Sequence, residues 1–174
     1  MELETNAIPQ ADMLWDVALV PEAILNGKNT ADEIGEYIGA KGQRQGLYYA
    51  QAARVLGLVG DVDRKGLIEL TSYGRAFAQY DRNSQHQAMR RLLREREPTR
   101  SVLQALKTNK SLSRAEIAKV LQSLAPLAES TAQRRAYTAA GWLTAAGLAH
   151  WRDGQLYYHQ ASSVVTLNRA PIRI

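Results

Sequence analysis

The stretch Gln43-Arg44-Gln45-Gly46-Leu47-Tyr48-Tyr49-Ala50-Gln51-Ala52-Ala53-Arg54-Val55-Leu56-Gly57-Leu58-Val59 decides the fold. Tyr49, Ala53 and Leu56 recur at i, i+4 and i+7, so they form the inward face of a helix from about Gln43 to Leu56. Arg44, Gln45, Tyr48 and Gln51 then fall on the outer side and toward the N-terminal end. Gly57 stops the helix, and Leu58-Val59 begins a strand. Upstream, Thr30-Ala31-Asp32-Glu33 reads as a capping box: the Thr30 hydroxyl accepts from the Glu33 amide and the Glu33 carboxylate reaches back. Ile34, Tyr37 and Ile38 follow at helical spacing, up to a stop at Gly39–Gly42. Downstream, residues 60–66 form a polar hairpin loop. Leu67–Leu70 returns as a strand with Ile68 and Leu70 on one face. Thr71-Ser72 caps a further helix carrying Tyr73, Ala76, Phe77 and Tyr80. Helix, helix, strand, loop, strand is the order of a winged helix-turn-helix, with the second helix as reading helix and the hairpin as wing.

The flanks extend this pattern. Residues 1–20 are a weakly patterned arm, with Met13, Leu14, Val17 and Ala18 on one face of a short helix. Residues 21–26 form another short helix, closed by Asn26-Gly27. Residues 82–97 link the halves through a helix whose apolar stripe is Met89, Leu92 and Leu93. Pro98 ends it, and Thr99 opens a helix carrying Val102, Leu103 and Leu106. The first order then returns. Ser113-Arg114-Ala115-Glu116 is a second capping box, and Ser130 or Thr131 caps a long helix that Gly147 stops. Leu148–Arg152 and Gln155–His159 are strands joined at Asp153-Gly154, two residues that tolerate positive φ. Ile34 aligns with Ile117 at an offset of 83, and Gln43-Arg44-Gln45 with Gln133-Arg134-Arg135 at an offset of 90, as does Gly57-Leu58 with Gly147-Leu148. Seven extra residues therefore precede the second reading helix. The expected fold class is mostly α with small β-hairpin wings (α+β), as tandem winged helix-turn-helix domains. The expected divisions are an arm (1–20), domain 1 (21–81), an arginine-rich linker helix (82–98) and domain 2 with its tail (99–174). Val164–Ile174 has the look of a further strand.

Composition narrows the function. The 174 residues carry 22 Lys+Arg against 17 Asp+Glu, a net of +5 and a pI near 9.6. The split is unequal: residues 1–81 net −5 (7 basic, 12 acidic) and residues 82–174 net +10 (15 basic, 5 acidic). A polyanion or an acidic partner facing the second half is expected. The absence of cysteine excludes disulfides, thiolate nucleophiles and Cys-type zinc sites. No Gly-rich loop ends in Gly-Lys-Ser/Thr, which argues against an NTPase. Asp61, Asp63 and Glu69 lack a lysine beside the second carboxylate and sit where acidic turn residues are routine, which argues against a nuclease centre. No catalytic residue, metal ligand or cofactor is expected. The acidic start lacks a signal peptide's basic and apolar regions, and no apolar run could span a bilayer, so a soluble cytoplasmic protein is expected.

The first copy also resembles the winged-helix domains attached to type II restriction endonucleases. The likeness rests on Thr30–Ile34, then Arg44-Gln45 with Tyr48-Tyr49 and Leu56-Gly57-Leu58, then Leu70-Thr71 with Gly74. It covers residues 21–80 well and 100–160 in outline. The resemblance implies DNA binding in a restriction or defence setting, with any nuclease in another domain or subunit.

The expected ligand is double-stranded DNA. Arg44 and Gln45 at the first reading helix suit base edges, as Arg pairs with guanine and Gln with adenine, with Tyr48 and Gln51 beside them. Tyr48 with Tyr49 could instead stack on a flipped base. In the second helix Arg134 and Arg135, placed at a helix start, suit a phosphate, with Thr138 nearby. Arg152 at the second wing, and Arg90, Arg91 and Arg94 on the link, suit the backbone. The link arginines could equally dock the two halves by pairing with the acidic first half. Two other functions fit: a protein-interaction adaptor of tandem winged helices, and a dimeric transcription regulator using residues 1–20 or 82–97 to dimerise. Monomer and dimer both fit the sequence.

Overall fold

The computed structural model describes residues 2–40, 42 and 44–160, so Gln43 and Val164–Ile174 lie outside the described residues. The elements run α1 (Leu14–Val17), α2 (Val20–Leu25), α3 (Ala31–Ile38), α4 (Gln45–Val55), α5 (Ser72–Ala78), α6 (Arg82–Glu95), α7 (Thr99–Asn109), β1 (Ser111–Ser113), α8 (Arg114–Leu124), α9 (Glu129–Ala145), β2 (Ala149–Arg152) and β3 (Gln155–Tyr158). The class is α+β: mostly helical, with one small antiparallel sheet of strand order β1-β3-β2. The residue pairs Leu112↔Leu156 and Trp151↔Leu156 place Leu156 at the sheet's centre, and its side chain is fully buried.

Local chemistry sets the helix starts. Thr30 accepts from the Glu33 amide (3.3 Å), while the Glu33 carboxylate accepts from the Thr30 amide (3.1 Å) and the Asn29 amide (3.1 Å). Ser113 and Glu116 repeat the arrangement at 3.2 and 2.7 Å. Both boxes are therefore made as expected. Hydrogen bonds from the Thr30 hydroxyl and then from the Thr30 and Asn29 amides hold the Glu33 carboxyl below its ordinary 4.5. The Ser113 amide and then its hydroxyl do the same for Glu116. A carboxyl depressed in the folded state stabilises fully above its unfolded pKa, and that contribution is lost as pH falls through the folded value. Stability should thus fall as pH drops below the ordinary carboxyl value of 4.5. The Glu33→Gln/Glu116→Gln double variant should lose less over that range in urea melts. Equal losses in both proteins would remove the boxes as a cause.

Asp153 and Gly154 turn the second hairpin with φ of 52° and 74°, the two positive values that a two-residue turn demands. Three features differ from expectation. First, the segments at Leu58-Val59 and Leu67–Leu70 form isolated bridges rather than regular strands: Val59↔Leu70 and Thr30↔Leu67. The reason lies in the loop. The Asp63 carboxylate accepts from the Lys65 and Leu67 amides (2.8 Å each), which takes the Leu67 amide out of the ladder, while bonds from the Gly60 amide to the Glu69 carbonyl and from the Asp63 amide to the Leu67 carbonyl (2.9 Å each) still cross the segments. Second, α9 begins at Glu129 behind Ala128, not behind Ser130 or Thr131. The Glu129 carboxylate accepts from Gln133 (3.0 Å) and Gln122 (3.1 Å) and stands where a helix favours negative charge. Third, β1 forms ahead of α8, adding a strand to the hairpin.

The two halves pair their segments in the same order. In each half, a segment before the first helix of the pair joins the returning hairpin segment, which joins the outgoing one. At the sequence offset of 83, α8 runs three residues past the counterpart of α3's end. At the offset of 90, α9 starts six residues before the counterpart of α4's start. The extra residues lengthen the helices rather than the loop between them.

The arm is the largest departure. It is packed along α9 by three side chains on one helical face. Trp142 Nε1 donates to the Ala11 carbonyl (2.8 Å), Thr138 donates to the Asp12 carboxylate (2.6 Å), and Arg135 donates to the Ile8 carbonyl (2.9 Å) and to that of Thr5. Ile8, Ala11, Leu14 and Val17 are buried, whereas Met13 is exposed. α1 touches both α4 and α9. The buried apolar residues form one cluster running from Ile8 to Leu156 through both halves.

Candidate functional site

The arm's path leaves a cleft of about 320 Å³ lined by Gln10 and Asp12 of the arm, Gln45 and Tyr48 of α4, Arg114 of α8, and Arg134, Arg135, Tyr137 and Thr138 of α9. Five of the expected site residues meet there: Gln45, Tyr48, Arg134, Arg135 and Thr138. They come from equivalent places in the repeat. At the offset of 90, Gln45 corresponds to Arg135 and Tyr48 to Thr138. The two halves thus turn corresponding helix positions toward one space.

The roles within the cleft differ from a plain helix-start anion site. Arg134 and Arg135 are the sixth and seventh residues of α9, so the free amides of its first turn are not beside them. Arg134 is exposed. Arg135 is half-buried and spends one nitrogen on the two arm carbonyls, while its Nε is buried without an acceptor. Burial, then the Arg134 guanidinium, push Arg135 below the usual arginine value. Thr138 is buried and engaged with Asp12. Arg114 donates from Nε to the Gln133 carbonyl (3.0 Å) and lies 5.9 Å from the centre of the exposed Tyr137 ring. Three guanidiniums against the single Asp12 carboxylate make the cleft electropositive.

The remaining expected residues lie elsewhere. Arg44 is exposed at the start of α4. Gln51 lines a separate hollow with Asn6, Arg54 and Asp61, toward the first hairpin. Arg152 is exposed on β2 with its guanidinium 4.7 Å from the centre of the Tyr157 ring. On α6, Arg90 donates to the Ala146 carbonyl at the end of α9 (3.2 Å), Arg91 donates to the Tyr73 hydroxyl (3.3 Å), and Arg94 is exposed. Arg96, just past α6, lies over Gly57 at the end of α4, where an added Cβ would come within 2.5 Å of its Nη2. Arg90 and Arg91 therefore do tie the link to both halves, but through one carbonyl and a phenol rather than through carboxylates. Cations suit helix C-termini, where backbone carbonyls lack intrahelical donors.

Sequence reasoning missed Gln10, Asp12, Arg114 and Tyr137. A local signal existed for two of them: Tyr137 stands one turn beyond Arg134 on the same face, and Arg114 is the first residue of a capped helix. Among the described residues, no three histidine, aspartate or glutamate side chains group closely enough to hold a metal ion. No helix among them is long and apolar enough to cross a membrane.

These features define an α+β protein with an electropositive cleft between α4 and α9. The chain belongs to the family described as domain of unknown function DUF7226, whose model matches residues 17–145, from the last residue of α1 to the end of α9. No curated protein and no solved structure matches it.

Proposed function

We propose that this protein binds double-stranded DNA through two winged-helix domains (residues 21–81 and 99–174). The domains are joined by the α6 linker and preceded by the arm. It acts in the cytoplasm as the recognition part of a restriction or defence system, and any nuclease is supplied by another domain or subunit. α4 and α9 are the groove-facing helices and the two hairpins are the wings. The observation that carries this reading is the shared order and pairing of the two halves, with Arg44 and Arg134 exposed at corresponding places on α4 and α9. The residues assigned to the phosphate backbone are Arg44, Arg134 and Arg152, because each is exposed. Arg135 and Thr138 hold the arm, and Arg90 and Arg91 hold the linker, so these four act by positioning. The chain carries no catalytic step in this reading.

The test is a salt titration of duplex affinity. Each phosphate contact contributes about 0.9 to the slope of log K against log salt. Replacing Arg44, Arg134 and Arg152 together with alanine should lower the slope by roughly 3. An unchanged slope moves the contact elsewhere, and no binding at low salt removes the DNA reading.

A second reading, a protein-interaction adaptor, is favoured by one observation. Met13, Leu47 and Tyr137 are large apolar side chains left exposed on the arm, α4 and α9 (59%, 36% and 61%). Absence of DNA binding at low salt would favour it.

A further inference from the structure

We propose that the cleft between α4 and α9 is a pocket for a single nucleotide, its base between the tyrosines and its phosphate on the exposed arginines. The proposal rests on the DNA reading only where that nucleotide belongs to a duplex. The groups present match the parts of a nucleotide one by one. Tyr48 and Tyr137 both line the cleft and offer rings on which a base can stack, with the Arg114 guanidinium over one face of the Tyr137 ring. Arg114 and Arg134 are exposed at the cleft, and among the described residues neither is in an ion pair, so the Arg134 guanidinium and the Nη groups of Arg114, whose Nε is spent on the Gln133 carbonyl, are available to a phosphate. Gln10, Gln45 and Asp12 supply amide donors and acceptors and a carboxylate acceptor for a base edge. The Asp12 carboxylate is held by Thr138, which fixes the acceptor before a ligand arrives.

Size and shape agree. A volume of about 320 Å³ lies at the small end of ligand pockets, which run on the order of 300–1,000 Å³. That suits one nucleotide and not a helix of duplex. The two groove-facing helices also turn corresponding positions inward here, so a base reaching these side chains must leave its stack. An unpaired nucleotide has already met that cost.

The test compares a duplex holding one unpaired 2-aminopurine with its fully paired counterpart, by anisotropy and by 2-aminopurine emission, with free dAMP followed by calorimetry. The unpaired duplex should bind about tenfold more tightly, with a change in emission. Tyr137→Ala should abolish that preference, and Tyr137→Phe should retain it, since only the ring is needed. Displacement of the unpaired base by dAMP identifies a pocket that also takes free nucleotide. Preference without dAMP binding identifies a pocket for DNA-borne nucleotide alone. Equal affinity for the two duplexes with no dAMP binding overturns the pocket and leaves duplex binding standing. A preference that survives Tyr137→Ala also overturns it. Binding of dAMP with no affinity for either duplex keeps the pocket and sinks the duplex reading.

Discussion

Gly74→Ala is expected to cost about 3 kcal/mol or more, a fall in Tm on the order of 10 °C for a chain of this size. A Cβ at Gly74 would lie 1.7 Å from the Leu58 carbonyl oxygen and 2.7 Å from its carbon. These are backbone atoms, and they are fixed from the other side. The Leu58 carbonyl accepts from the Thr71 amide, and the Thr71 hydroxyl donates to the Gly57 carbonyl at 2.7 Å. α5 can accommodate the methyl group only by leaving the first hairpin. Gly46 of α4 is in the same situation against the Ala31 carbonyl, 1.9 Å from an added Cβ, and the same loss is expected of Gly46→Ala. Gly60→Ala is the control, because its nearest atom is 3.9 Å away; it should stay within about 0.5 kcal/mol. A Gly74→Ala protein melting within about 2 °C of the parent would contradict this packing.

Ile8→Ala should destabilise by about 2–5 kcal/mol, as deletion from a closed core does. Ile8 is 1% exposed, although it sits near the chain start in a segment with no regular helix. Its carbonyl is held by Arg135, so the backbone cannot readily follow the lost side chain inward, and a cavity remains. Met13→Ala on the same arm, at 59% exposure, should change stability by less than about 0.5 kcal/mol. Urea unfolding of both variants measures the contrast. If Ile8→Ala matches Met13→Ala, the arm is not part of the core.

The arm also shows where sequence reasoning stops. Both capping boxes, the break at Pro98 and the Asp153-Gly154 turn were legible, because each depends on residues within a few positions of the backbone that they shape. The arm's docking depends on positions 135, 138 and 142, whose partners lie more than 120 residues away. In sequence, Arg135 and Thr138 look like an outward polar face, and nothing local distinguishes them from Arg134. The cleft was half legible. Its residues from α4 and, Tyr137 apart, from α9 were legible as outward helix positions, but their meeting is a tertiary fact, and Gln10 and Asp12 arrive on an arm without strong periodicity. The first hairpin was legible in outline only, since Asp63 carries turn bonds that compete with a ladder.

The linker helix has a consequence of its own. Arg90 seals the end of α9, and Arg96 sits over the end of α4, so α6 and the turn that follows it reach both helices. Such a helix works as a caliper: the span between the two helices is set by the protein and not by its ligand. A flexible tether would let each half search alone and would charge the second contact an entropic toll. Under the proposed DNA reading, with the span fixed in advance, the second half would arrive already placed, and duplexes demanding another spacing would be disfavoured.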